Sequence, residues 1–302
     1  MAINPQERNA AIIEADFDLI TANQHTFINA LDQNSTVVDL GGNRGEFSKV
    51  ILNLFSCKKV IVVEGNPQLS SIIKNNLSSH AEQAELIPSL IGPIFSKNVD
   101  FHITENPEAS SVDKSLHASQ NIIKTVRVKM ITLDYIYQRI DNDRIDLLKV
   151  DIEGMEWEVL KNMTNDDYER IDQITVEFHD FLDSSLVYKT EEVIEHLKGL
   201  GYKLIKGKYE SRTQYYDTLF CKPNLYAKHL LWKDSMKNVD NSTLRVKNQD
   251  LKHILVQKVE NLVLQQQHHQ KEIETIYNSL SWKLTTPLRK IASLLWHKKR
   301  LH

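Results

Sequence analysis

Apolar positions change their spacing several times along the chain, and each change predicts an element. Residues 5 to 31 place Ile12, Ile13, Phe17, Ile20, Phe27, Ile28 and Leu31 on one helical stripe, which predicts an N-terminal helical segment (residues 1–34) packed on the adjoining sheet. From Ser35 onward short apolar runs alternate with helical patterns. TVVDL is followed by a helix from Phe47 to Phe55, then VIVVE, then a helix near Leu69 to Leu77. Fully apolar strands alternating with helices predict an α/β fold with a mostly parallel sheet covered on both faces. Further strands are expected at AELIPSLI, VDFHIT, TVRVKMI, DLLKVD and ITVEF, a helix from Thr190 to Leu200, and a closing antiparallel pair at GYKLIKG and DTLFCK. The polar stretch over residues 105–121, with Pro107, reads as a mobile loop over one edge.

Past Pro223 the pattern changes. We expect a linker over 226–250 and then, over 251–280, a helix without Gly or Pro. Leu255, Val259, Leu262, Gln266, His269, Ile273, Ile276 and Leu280 follow steps of 4 and 3 there, with six of the eight apolar. This is the seam of a short coiled coil about 45 Å long, suited to a homo-oligomer or a glycosyltransferase partner, or else a single helix docked on its own body. In residues 281–302 Leu284, Leu288, Ile291 and Leu295 form an apolar stripe flanked by Trp282 and Trp296. Lys283, Arg289, Lys290, Lys298, Lys299 and Arg300 surround it without an acid. A basic, Trp-anchored amphipathic helix suits an anionic membrane surface; docking on a protein is the alternative.

Composition sharpens this division. The formal charge of −3 hides two unlike parts: 11 Lys and Arg against 4 Asp and Glu from Asn241 onward, a net of +7, leaving 26 against 36, a net of −10, before it. An acidic body does not favour nucleic acid, which is bound by neutralising phosphates. With 41% hydrophobic and 25% charged residues the 302-residue chain can bury a substantial core. No window is apolar enough to span a membrane and the first 20 residues lack signal-peptide character, so a cytoplasmic protein, peripheral at the inner face of the membrane, is expected. Cys57 and Cys221 have no second cysteine or histidine at metal-ligand spacing and read as reduced thiols.

Three segments carry chemistry. In Val37-Val38-Asp39-Leu40-Gly41-Gly42-Asn43-Arg44-Gly45-Glu46-Phe47-Ser48 an apolar strand enters a glycine-rich turn and then a helix whose first amides are free. The spacing is not G-x-G-x-x-G, and Asp39 beside the turn would repel a pyrophosphate and attract a cofactor with a cationic amino-acid end. This argues against a nicotinamide oxidoreductase. In Val60-Ile61-Val62-Val63-Glu64-Gly65-Asn66-Pro67, Glu64 ends the second strand, placed to accept hydrogen bonds from ribose hydroxyls. In Asp146-Leu147-Leu148-Lys149-Val150-Asp151-Ile152-Glu153-Gly154-Met155-Glu156-Trp157, a strand ends at Asp151, and Glu153 and Glu156 open the next helix.

The first two segments resemble the cofactor site of Rossmann-like S-adenosylmethionine-dependent methyltransferases. The third, D-L-L-K-x-D-x-E-G-x-E-x-x-V-L, resembles the hallmark of the FkbM family of methyltransferases. That likeness extends to the glycine turn, to Thr132-Leu133-Asp134 and to Val176-Glu177-Phe178-His179, across roughly residues 35–223. It departs at Gly42, where the family usually has alanine, and at Met155-Glu156-Trp157, bulkier than usual and of uncertain consequence for the substrate side. The resemblance implies a seven-stranded Rossmann-like class I domain (35–225) with Asp39, Gly41, Asn43, Gly45, Glu64 and Asn66 holding S-adenosyl-L-methionine. It implies methyl transfer to an oxygen, often a hydroxyl of a sugar or natural product; a non-catalytic scaffold on the same fold is the rival reading. The catalytic candidates are Asp151, Glu177 and His179, at the ends of the fourth and fifth strands. His179 could act as general base, or Asp151, Glu177 and His179 together could hold a divalent cation.

Overall fold

A computed structural model describes residues 13–16, 19–106, 110–113, 121–141, 143–206 and 217–237. They belong to one compact unit spanning residues 1–244. The expected coiled-coil helix and basic tail lie outside the described residues.

The chain opens with three strands, not the expected helix: β1 (Ile13–Asp16), β2 (Leu19–Ala22) and β3 (His25–Ile28) form an antiparallel sheet. Ala22 pairs with His25, so Asn23 and Gln24 make a two-residue hairpin loop, with φ of 46° and 71°. Two consecutive left-handed residues define the type I′ turn that matches strand twist, and Asn is favoured there. The β-branched residues around it, Ile20, Thr21, Thr26 and Ile28, favour strands, and this outweighs the helical spacing.

The main sheet has seven strands: β4 (Thr36–Leu40), β5 (Lys59–Val63), β6 (Ala84–Ile87), β10 (Leu147–Val150), β11 (Gln173–Glu177), β12 (Lys203–Lys206) and β13 (Asp217–Cys221). Their order is β12-β13-β11-β10-β4-β5-β6, parallel from β11 to β6 and antiparallel at β13 and β12. Side chains alternate between two cores. Val38, Leu40, Leu148, Val150, Ile174 and Val176 face α4 (Glu156–Lys161) and α6 (Val187–Leu200). Val37, Val60, Val62 and Leu147 face α1 (Glu46–Phe55), α2 (Ser70–Asn76) and the β2–β3 hairpin. The Gln173 side chain fastens that hairpin down, accepting from the Ile28 amide at 2.8 Å and donating to its carbonyl at 3.3 Å.

Two expected strands leave this sheet. β8 (Ser96–Thr104) and β9 (Ile122–Ile131) pair antiparallel, and with β7 (Leu90–Ile91) make a separate three-stranded sheet. Their apolar residues alternate, with Phe101 and Ile103 packing on Val126 and Val128, the pattern of a sheet buried on one face. Two short helices, α3 (Leu133–Tyr137) and α5 (Asn165–Arg170), flank β10 in sequence. The expected linker from residue 226 is helical as far as it is described, within α7 (Pro223–Lys237). Pro223 occupies the first helical position, where its missing N–H costs nothing, and no Gly or Pro interrupts the remainder of the helix. Cys57 and Cys221 are buried free thiols, and burial pushes Cys57 up to about 12. Among the described residues no helix is long and apolar enough to cross a membrane.

Candidate active site

The C-terminal ends of β4, β5 and β10 open onto a cleft of about 580 Å3 whose wall includes Gly41, Asn43, Glu64, Asp151, Glu153 and Met155. A cleft beyond the carboxyl ends of parallel strands is where open α/β sheets bind ligands. Gly41 has a φ of 76°, and a Cβ on it would lie 1.7 Å from the Asp151 carbonyl oxygen, so the turn can meet the end of β10 only without a side chain. At Gly42 a Cβ would stand 2.1 Å from Val62 Cγ1. Glycine there, where alanine is usual, is thus matched to the valine beside it.

Glu64 ends β5 with its carboxylate in the cleft wall. One oxygen accepts from the Asn43 amide at 2.8 Å and the other from the Asn66 amide at 2.6 Å, so each oxygen keeps a free lone pair. Burial pushes Glu64 up to about 7, although these two amides and Lys149 pull it down. Asn43 Oδ1 and Asn66 Nδ2 are buried without a hydrogen-bond partner among the described residues. Gly45 immediately precedes α1. Of the expected cofactor residues, Gly41, Asn43 and Glu64 line the cleft, while Asp39 is fully buried, accepting from Ser48 Oγ at 2.6 Å and lying 3.2 Å from Lys149 Nζ.

Lys149 is the residue that motif reading passed over. It occupies the middle of β10 opposite Asp39 and is buried, with Nζ 2.7 Å from the Gly41 carbonyl and 3.2 Å from Asp151 Oδ2. Burial alone would favour the neutral amine; Asp151 and Asp39 instead hold it above the usual lysine range. The signal was present in the sequence, because a lysine inside an otherwise apolar strand needs carboxylate partners.

Asp151, Glu153, Glu156 and His179 come together at the turn after β10. Glu156 is fully buried and accepts from the amides of Ile152 and Gly154, at 3.0 and 2.9 Å, and from His179 Nδ1 at 2.9 Å. His179 Nε2 is 3.2 Å from Glu153 and 3.8 Å from Asp151. Burial would hold the ring neutral, but Glu156 and Glu153 overcome it and raise His179 well above the usual imidazole range. With a carboxylate beside each ring nitrogen the protonated ring is favoured, which weighs against the general-base role expected for it. Asp151 is half-buried, which opposes ionisation, yet Lys149, His25 and His179 hold it well below the usual carboxylate range. Glu153 sits in the left-handed region at φ 52°, backbone strain of the kind found at functional turns.

Glu177 and His179, two residues apart at the end of the fifth strand, do not share a side. β11 ends at Glu177, and His179 begins a short 3-10 turn (His179–Phe181) directed to Glu156. Glu177 follows Gln173 and Thr175 on the hairpin face and groups with His25 and Asp151, while His179 groups with Asp151 and Glu156. The expected trio Asp151, Glu177 and His179 is therefore divided between two clusters that share Asp151. Trp157 points into the core, its Nε1 donating to Thr190 Oγ1 at 2.9 Å, so within the bulky segment it is Met155 that lines the cleft.

A Rossmann-like sheet with a glycine turn after its first strand, an acid ending its second and an acid-rich turn after its fourth defines a class I methyltransferase body. The model of the methyltransferase FkbM domain matches residues 39–204, over half of the chain, and the protein belongs to this family of methyltransferases. A curated relative, Methyltransferase 1 of Beauveria bassiana (strain ARSEF 2860), is 24% identical over 185 residues, covering 56% of this chain and 73% of the relative. Among solved structures, methyltransferase FkbM of Methylobacillus flagellatus KT aligns with a TM-score of 0.39 and 14% identity, over 63% of this chain and 44% of that one. This chain thus spans less than half the length of that protein. A precorrin-6y C5,15-methyltransferase of Geobacter metallireducens GS-15 aligns with a TM-score of 0.37 and 14% identity, over 64% and 82% of the two chains.

Proposed function

We propose that the protein transfers a methyl group from S-adenosyl-L-methionine to a sugar hydroxyl of a cell-surface glycan or its precursor. The observation that carries the cofactor reading is Glu64: a buried carboxylate in the cleft wall with one backbone hydrogen bond on each oxygen, leaving an acceptor on each for a ribose hydroxyl. The unpartnered Asn43 Oδ1 beside it fits a polar ligand. When bound, the cofactor supplies an electrophilic methyl on a cationic sulfur. The chain favours that cation with an excess of acids, since Asp39, Asp151, Glu153 and Glu156 outnumber Lys149 and His179.

Glu153, which lines the cleft, is the base of this reading, and His179 holds it in place at 3.2 Å. Transfer forms the new O–CH3 bond as the S–CH3 bond breaks, leaving a neutral thioether, and the hydroxyl proton passes to Glu153. An alcohol oxygen becomes strongly acidic as it is alkylated, so even a carboxylate stabilised by an imidazolium can take the proton late in the step. The arm beyond residue 250 serves in this reading as an assembly and membrane-surface device.

Isothermal calorimetry with S-adenosylmethionine and transfer of labelled methyl to glycan fragments test the proposal. Binding by the wild type that weakens at least tenfold in Glu64→Ala is expected, together with label in an O-methyl sugar. Absence of cofactor binding would refute it, and binding without transfer to any hydroxylated acceptor would leave a scaffold on this fold.

A further inference from the structure

We infer that the protein binds a divalent metal ion between His25, Asp151 and Glu177, beside the place where the methyl acceptor must sit. The inference deepens the proposed function and rests on it for the identity of the acceptor, a hydroxyl; the ion itself is argued from the chain alone. Three separate elements deliver the ligands: the β2–β3 hairpin, the end of β10 and the end of β11. His25 precedes the span 39–204 matched by the family model, so the family likeness assigns it nothing.

One ligand atom from each residue lies within 4.8 Å of the other two. His25 Nε2 is 3.6 Å from Asp151 Oδ2, too far for a good hydrogen bond. Two donors about 2.1 Å from a shared ion stand about 3.0 Å apart at a right angle and about 3.4 Å apart at the tetrahedral angle, so the gap is near ion-bridged spacing. His25 is 2% exposed, and its Nδ1 has no hydrogen-bond partner among the described residues. The ring packs edge-on against Phe47, with centroids 5.7 Å apart, and turns Nε2 to Asp151.

Geometry also chooses between the two histidines. His179 directs both nitrogens at carboxylates, Nδ1 at Glu156 and Nε2 at Glu153, and used as a double donor it has no lone pair to offer an ion. His25 has its one ion-pair contact among the described residues at Nε2, 3.6 Å from Asp151. The charges agree: among the described residues Lys149 pairs with Asp39 and Asp151, and His179 with Asp151, Glu153 and Glu156, so acids outnumber cations beside the cluster. One imidazole with two carboxylates suits Mn2+, Fe2+ or Zn2+ better than Ca2+ or Mg2+. Such an ion would bind the acceptor hydroxyl and favour its deprotonation as the methyl arrives.

Manganese alone is a sufficient probe. Full-length protein stripped with EDTA and desalted is titrated with Mn2+, following loss of the free-ion paramagnetic resonance signal. One ion bound per chain is expected, with affinity falling at least tenfold in His25→Ala and in His25→Gln, and staying within threefold in His179→Gln. The His25 variants should keep S-adenosylmethionine affinity within threefold by calorimetry and keep the wild-type circular dichroism, which separates loss of the ion site from misfolding. No stoichiometric Mn2+ binding by the wild type would overturn the inference. Binding retained in the His25 variants but lost in His179→Gln would overturn it too, moving the ion to the cluster of Asp151, Glu156 and His179. Absence of cofactor binding would instead count against the proposed function.

Discussion

Lys149 shows how much one side chain holds here. Its ammonium joins the carboxylates of Asp39 and Asp151 to the Gly41 carbonyl, and so ties the glycine turn after β4 to the end of β10. Removing the cation leaves two buried carboxylates facing each other. Lys149→Met should therefore lower stability by about 3–5 kcal/mol, read as a shifted urea midpoint. Glu64 makes a pH prediction whose sign follows from its environment. Burial raises it from 4.5 to about 7, so the folded chain holds a proton that the unfolded chain releases. The stability this contributes is complete below pH 4.5 and is lost as pH rises through 7, about 3 kcal/mol in all. A ribose bound to the carboxylate reverses the balance and expels the proton, so S-adenosylmethionine affinity should rise about tenfold from pH 6 to pH 8. Calorimetry at the two pH values checks this, and Glu64→Gln should flatten the dependence. Glu64, Gly41 and Asp151 were legible in the sequence because each lies in a strand-end motif that is continuous along the chain. His25 and the partners of Lys149 were not, since their meaning arises from contacts between elements more than 100 residues apart.

At the scale of elements, the parallel strands declared themselves because a strand buried on both faces is apolar throughout. β8 and β9 were readable as strands, but their placement in a second sheet depended on noticing that their apolar residues alternate. The N-terminal hairpin was hidden by a real coincidence: its strands carry apolar residues that also fall on a helical stripe, and the deciding Asn23-Gln24 turn is only two residues long. That hairpin matters to the site because it carries His25 to Asp151, and its hold on the sheet is the Gln173 amide. Gln173→Leu would strand the buried amide and carbonyl of Ile28, at a cost of about 2–4 kcal/mol. Amide exchange should report the loss locally, with residues 19–28 losing protection while the amides of β4 and β5 keep theirs. Equal loss everywhere would show that the hairpin is not a separately fastened element.

The whole molecule is built on an unequal division of charge. The residues up to 240 carry −10 and contain the methyltransferase body, where buried acids gather around Lys149 and His179; the remaining 62 residues carry +7. An acidic body disfavours an anionic surface, so any attachment to one must come from the basic end, and the six cations of residues 281–302 are the densest part of it. At about 1 kcal/mol for each cation near an anionic bilayer, with Trp282 and Trp296 beside them, we propose that this segment holds the protein at a membrane. Removing residues 281–302 should abolish co-sedimentation with phosphatidylserine vesicles while leaving cofactor affinity unchanged, because the described residues that line the cleft run from Gly41 to Met155. Raised salt should weaken binding of the full chain, and neutral vesicles should retain much less of it. A truncated protein that still sediments with anionic vesicles would place the attachment elsewhere and assign the basic end to a protein partner.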